Sequence, residues 1–365
     1  MAKHDVRFVT KPLAPPWNDS GKNLPWTIAS HLKRHRARVW TPRGGGLPPA
    51  PNVVAEPFVA AGGPFRNALL TNAEIVARLL SPLPRVGLTH FFFTPTPTTA
   101  RVAALIRKAR PLTPMVQNVN SLPAEPSSLG DLVFGDRVVV LSRQAEELLS
   151  DRLGARVVRI PPCVPALDAP NVARRARPTF VYAGDLEFSM GAMRVAEAIP
   201  SLLRRVEADV LFACRAKTER ARVVERSVRH VLETARVPEE RVQWLGELDD
   251  VPTLLASVTA LVLPVDTLYA KMDLPLVALE ALQLGTPCIL GDLPPLRELA
   301  SCGGCELVDP GDPLGLAAAM TRCARDHADW QGLSEAARAS WRAHFRPDVV
   351  VPRYEEIYDS LLGRG

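Results

Sequence analysis

At 365 residues the chain exceeds the size at which a single hydrophobic core keeps growing, so two domains of ordinary size are expected. A hydrophobic content of 47% against 23% charged residues describes a globular chain rather than a disordered or membrane-spanning one, and no apolar run reaches transmembrane length. The net charge of +5, with an isoelectric point near 9.0, fits attraction to phosphates or to an anionic surface and marks no nucleic-acid partner.

The chain passes from "MAKHD" straight into a buried strand, "DVRFVT". No signal peptide is expected, and a cytoplasmic location is. A long loop, "KPLAPPWNDSGKN", precedes an amphipathic helix, "LPWTIASHLKRHR", and a second strand, "ARVWT". After the Pro/Gly-rich 42–52 come strand "VVAEPFV", a helix through "NALLTNAEIVARLL", and strand "LTHFFF". Helix "TTARVAALIRKAR", strands "MVQNV" and "RVVVLS", helix "RQAEELLSDRL" and strand "ARVVRIP" complete the first half. The aperiodic, Pro- and Arg-rich 162–178 reads as a linker. Strands "TFVYAG", "ADVLFAC", "RVQWLG", "TALVLP", "CILG" and "CELVDP" then alternate with helices, and the residues from Leu314 onward read as helix interrupted at Pro347. Short apolar strands alternating with helices predict parallel sheets covered on both faces. Two doubly wound halves result, with ligands expected outside the carboxyl ends of the strands. If the halves face one another, those loops form opposite walls of one cleft.

One helix stands out. "KMDLPLVALEALQLGTPCIL" (271–290) is almost wholly apolar yet carries Glu280 in mid-helix. Asp273 is placed as its N-cap, Pro275 in its first turn, and Gly285 as a left-handed stop before a buried strand. Glu280 and Gln283 share the one polar strip, which either touches solvent or faces a ligand. Of the six cysteines only "CGGC" (302–305) has metal-type or redox-type spacing, and no second pair of ligands accompanies it. A glycine turn flanked by small residues is the simpler account, and no metal or cofactor is expected.

Several segments, in this order, carry a resemblance: "VVVLSRQAEELL" with "RIPPCV", then "RVQWLGELDDVPTLLASVTALVLPVD", "LPLVALEALQLGTPCIL" and "ELVDPGDPLGLAAAM". The chain resembles the retaining nucleotide-sugar glycosyltransferases of family four, the glycosyl transferases group 1. That resemblance implies a GT-B fold: two facing Rossmann-like domains with parallel sheets and a C-terminal helix returning to the first. It sets residues 1–165 with 346–365 as the acceptor-side domain and 166–345 as the nucleotide-sugar-binding domain. It also implies transfer of a sugar, with retention, from a nucleotide diphosphate sugar to a hydroxyl acceptor. By resemblance Glu280 binds the donor's ribose hydroxyls; an ionised carboxylate accepting two hydroxyl hydrogens makes the stronger kind of hydrogen bond.

Four positions, in three motifs, depart from the family pattern. Met272 stands where the first acid of the E-x7-E motif belongs, leaving Lys271 and Asp273, beside Leu274 and Pro275, as the polar candidates there. In "GDLEFSMG" (184–191), Asp185 and Met190 replace the Arg and Lys that clamp the diphosphate beyond Gly184. Asn120 replaces a His that reaches the donor sugar. Compensating cations are sought in Lys22, beside Ser20 and Gly21 in a turn read as phosphate-contacting, and in Arg215 and Arg297. The amide end of the helix starting near Gly191 adds partial positive charge. His90 is either an acceptor-side group or a satisfied core histidine; with Lys22 and Asn120 it completes the expected catalytic set. Basic "HLKRHRAR" (31–38) and the stretch 64–80 could graze an anionic membrane carrying a lipid-linked acceptor, although ordinary packing and a solvated helix end explain both. A glycosyltransferase-like partner protein without catalysis is the rival reading. A nucleotide-dependent oxidoreductase is set aside because neither half has G-x-G-x-x-G after its first strand.

Overall fold

The computed structural model describes residues 4–58, 69–81, 84–93, 95–123, 125–167, 172–216, 218–269 and 271–363, the side chains of 58 and 69–71 excepted. The chain divides into two compact units, Met1–Pro165 with Pro347–Gly365, and Ala166–Arg346.

The first unit runs β1 (Asp5–Val9), α1 (Ser20–His31), β2 (Arg36–Pro42), β3 (Val53–Phe58), α2 (Leu69–Leu80), β4 (Leu88–Phe91), α3 (Pro97–Ala109), β5 (Met115–Val119), α4 (Leu129–Leu132), β6 (Arg137–Val140), α5 (Arg143–Leu153) and β7 (Val157–Arg159). Its sheet is parallel, in the order β3-β2-β1-β4-β5-β6-β7. The strands are near-continuous apolar runs because helices cover both faces. One side packs Val9, Trp40, Phe91 and Met115 against Ile75, Leu79 and Ile106.

The second unit runs β8 (Thr179–Tyr182), α6 (Gly191–Leu203), β9 (Asp209–Phe212), α7 (Glu219–Thr234), β10 (Val242–Trp244), α8 (Val251–Ser257), β11 (Ala260–Leu263), α9 (Leu276–Leu284), β12 (Cys288–Gly291), α10 (Pro294–Ser301), β13 (Cys305–Val308), α11 (Pro313–Arg325) and α12 (His327–His344). This sheet is also parallel, ordered β10-β9-β8-β11-β12-β13. The strand order reverses between β8 and β11. The thirteen strands among the described residues and the α/β doubly wound architecture agree with the sequence reading.

The last helix, α13 (Pro347–Leu361), packs in the first unit against α1. Its buried Glu355 accepts from the backbone amides of Lys33 at 2.8 Å, Arg34 at 2.5 Å and His35 at 3.3 Å. Asp359 accepts from His35 Nε2 at 3.0 Å and pairs with Arg34. Burial outweighs the attraction of Asp359 and holds His35 below its ordinary pKa. On the same helix, the Tyr358 hydroxyl meets His90 Nδ1 at 2.7 Å, and Tyr354 accepts from Asn118 at 3.3 Å.

Some boundaries differ from expectation. The first helix starts at Ser20, because the Asp19 carboxylate caps it through the Gly21 amide at 2.8 Å, and it ends at His31. Residues 32–35 are not helical, and the amides of 33–35 turn to Glu355 instead. Beyond Leu314 the chain breaks at Asp326 as well as before Pro347, since Asp326 ends α11 and caps α12 through the Asp329 amide. The stretch 64–80 lies outside the described residues up to 68.

Truncating Glu355 leaves three amides, that of His35 buried and the other two partly so, without this acceptor. Glu355→Ala should lower unfolding stability by about 2–4 kcal/mol, and amide exchange in α13 should accelerate selectively. A loss under ~0.5 kcal/mol in urea denaturation would remove Glu355 as the anchor.

Candidate active site

In open parallel sheets a crevice forms where neighbouring strands send their connections to opposite sides. In the second unit that place lies between β8 and β11, and three contacts tie the loops that leave them. The Asp266 amide donates to the Ser189 carbonyl at 3.1 Å. Arg194 on α6 forks onto both Asp266 oxygens at 3.3 and 3.0 Å. Lys271 Nζ lies 3.2 Å from Asp185 Oδ2.

The loop after β8 is shaped by Tyr182. This ring is fully buried, and its hydroxyl donates to the Asp185 carbonyl at 2.7 Å. A Cβ on Gly184 would stand 2.6 Å from the Tyr182 hydroxyl, and one on Gly191 2.7 Å from its ring. Both glycines are therefore required by the ring between them. Asp185 Oδ1 accepts from the amides of Glu187 at 2.8 Å and Phe188 at 2.7 Å. Burial alone would raise the Asp185 pKa, but the Lys271 ammonium and these amides together hold it below the usual carboxylate range. Glu187 accepts from Thr218 Oγ1 at 2.8 Å, at the cap of α7. Met190, the residue before α6, is in left-handed backbone at φ 51° and provides no side-chain cap, while the Ala192 amide in the first turn donates to the Tyr182 hydroxyl. Phe188 and Tyr269 meet edge to face at 5.9 Å, with Lys271 Nζ and the Arg220 guanidinium each 5.8 Å from the Phe188 ring.

Helix α9 starts directly after the β11 loop. Pro275 is its N-cap and its carbonyl accepts from the Ala278 amide at 3.0 Å, so Asp273 lies outside the helix and does not cap it. Asp273 and Leu274 are buried instead. Gly285 takes the left-handed stop at φ 72°, with Arg338 and Ser334 bonded to the carbonyls there. Glu280 sits on the second turn. Its side chain is half-buried, its carboxyl oxygens keep some contact with solvent, and burial pushes its pKa up to about 7. Among the described residues it has no hydrogen-bond or ionic partner.

Other expected site residues fall elsewhere. Lys22 is not a loop lysine: it is buried in the first turn of α1 and donates to the Ala14 and Pro16 carbonyls at 2.8 and 2.9 Å. Ser20 and Gly21 belong to that same turn rather than to an open phosphate loop. A buried ammonium satisfied by carbonyls secures the 14–17 loop. His90 is the core histidine: Nε2 meets Asn118 Oδ1 at 3.0 Å, and burial lowers its pKa to about 3. Asn120 lies just past β5, buried, its Oδ1 accepting from Asn118 at 3.2 Å. Arg215 pairs with Glu247 at 2.8 Å, and Arg297 pairs with Asp292. Among the expected cations, Lys271 is the one shown bonded across the loops after β8 and β11 among the described residues. Cys302 and Cys305 are thiols not joined in a disulfide, and they flank Gly303 and Gly304, both at positive φ. Among the described residues no group of three His, Cys, Asp or Glu side chains is arranged to hold a metal. No helix among them is long and apolar enough to cross a membrane.

Sequence reasoning missed Arg194, Asp266 and Tyr182. Asp266 closes "VLPVD" just beyond β11, where ligand loops start, and that position was the available signal.

Residues 177–326, most of the second unit, match the family model for glycosyl transferases group 1, bearing out the resemblance. No curated protein matches the sequence. Among solved structures, the chain is similar to a glycosyltransferase from Rickettsia africae ESF-5 (15% identity, TM-score 0.75, all of both chains covered). It is similar to sucrose-phosphate synthase from Thermosynechococcus elongatus (16%, 0.76, all of both chains). HepE of Anabaena, solved with UDP and glucose, aligns over 98% of this chain and 100% of its own at 14% identity and TM-score 0.74. These likenesses establish the GT-B fold.

The raised pKa of Glu280 has a sign that can be checked. The folded state holds a proton between about 4.5 and 7 that the unfolded state has released, so stability falls as pH rises through that window. Glu280→Gln should therefore be more stable than wild type at pH 8, by about 1–3 kcal/mol, and similar to it at pH 4.5. Equal urea midpoints at both pH values would mean that the carboxyl is well solvated.

Proposed function

We propose that the protein is a retaining glycosyltransferase that moves a sugar from a nucleotide diphosphate sugar to a hydroxyl acceptor. The observation that carries this is Glu280: a half-buried carboxylate without a protein partner among the described residues, on the helix that opens at the β8–β11 crevice. A vicinal diol offers two hydroxyl donors to such a carboxylate, in place of the solvent contact its oxygens keep. The ribose of the donor is that diol. Lys271 and the amino end of α6 supply positive charge for the diphosphate, compensating for Asp185 and Met190 at the family's clamp positions. The departing phosphate takes the acceptor's proton, so no side-chain base is assigned.

UDP-glucose is the first donor to test, since HepE has been solved with UDP-glucose. Acceptor recognition is assigned to the first unit, with Asn120 at the carboxyl end of β5 as its polar marker. The basic 31–38 is offered as a peripheral contact with an anionic membrane in the cytoplasm.

Glu280→Gln should weaken UDP-glucose binding by at least about tenfold in calorimetry, the scale of a hydrogen bond to a charged group. Wild-type affinity should also rise between pH 6 and 8 as the carboxyl ionises, because the diphosphate diester itself does not titrate there. Unchanged affinity in the variant removes Glu280 from the donor site. If the wild type binds and hydrolyses none of the UDP, GDP, ADP or CMP sugars, the protein is a non-catalytic relative.

A further inference from the structure

Three donors converge on Asp185. Its Oδ1 takes the amides of Glu187 and Phe188, and its Oδ2 takes the Lys271 ammonium. Two successive amides with one ammonium make the donor set that a phosphate group requires. The arrangement stands on the loop after β8, at the reversal of strand order, one short segment ahead of the start of α6. The loop is held from behind by the buried Tyr182 hydroxyl on the Asp185 carbonyl and by the Asp266 amide on Ser189. An aspartate needs only the two amides to close a local turn of this kind. The third donor reaches it from the β11 loop, which a turn cap does not explain.

We propose that Asp185 is an internal stand-in for a phosphate of the donor: its carboxylate occupies the ammonium and amides in the free protein, and the donor diphosphate takes Lys271 over when it binds. This rests on the nucleotide-sugar reading and adds to it a role for the acid at a clamp position. A phosphate beside an ionised Asp185 is repelled unless Lys271 turns to it, so binding is an exchange of partners rather than a simple addition. The exchange keeps the crevice organised when empty, and it weakens donor affinity by the strength of the contact that must be given up. It also makes Lys271 useful to the ligand only while Asp185 can release it.

The test is calorimetry with inorganic pyrophosphate on wild type, Asp185→Asn, Lys271→Met and the double variant. Asparagine keeps an oxygen for the two amides, so the loop should hold; Asp185→Ser is a second variant that can also cap it. Asp185→Asn should bind pyrophosphate at least about tenfold more tightly than wild type, and Lys271→Met should abolish that gain. An unchanged or weaker affinity in both Asp185 variants, with wild-type melting behaviour, overturns the inference and leaves Asp185 a turn cap. A gain that survives Lys271→Met also overturns it, because the ammonium is then not the group exchanged. Absence of pyrophosphate binding in every protein overturns it too. If UDP-glucose binding that depends on Glu280 is found alongside any of these failures, the donor reading stands without the exchange.

Discussion

A parallel sheet covered on both faces can open to a ligand only at the carboxyl ends of its strands, and within that edge only where the strand order reverses. In the second unit this constraint brings together the loops after β8 and β11. Everything assigned to the site follows from holding those two loops. Tyr182 fixes the first from beneath, with Gly184 and Gly191 giving it room. Asp266 fixes the second through Arg194 and the Ser189 carbonyl. Helix α9 can then begin at Pro275 and carry Glu280 on its second turn.

Two acids of this unit show how environment divides similar groups. Asp185 is pulled below the usual range by an ammonium and two amides, whereas Glu280 is pushed up to about 7 by burial without a partner. The first is satisfied internally; the second has its hydrogen-bonding capacity in reserve. A desolvated acid of this kind costs the folded protein stability above neutral pH, and such a cost is common where a ligand completes the bonding.

The succession of strands along the chain was legible because each strand is a short apolar run bounded by turn residues, and a parallel sheet demands that pattern; the order of strands within each sheet was not. The α9 helix and its Gly285 stop were legible for the same local reasons. Its cap was not: Asp273 is a good N-cap by type, but Pro275 lacks an amide and takes the boundary two residues later. Lys22 misled because Ser20-Gly21 reads as a turn, while Asp19 had already capped a helix and drawn the lysine inward. The ambiguity of His90 could be resolved only by Tyr358 of α13, distant in sequence. Glu280 could be singled out from pattern, but its missing partner is a three-dimensional fact. The Lys271–Asp185 pair joins segments that no spacing rule connects.

The most direct measurement is the ionisation of Glu280 itself, followed by carbon-13 NMR of its side-chain carboxyl with and without saturating nucleotide sugar. The account predicts titration at about 7 in the free protein. On binding it predicts a fall of more than one unit, because ribose hydroxyls bond the ionised form. Titration near the ordinary glutamate value in the free protein, or a value that does not move when the ligand binds, would contradict the account.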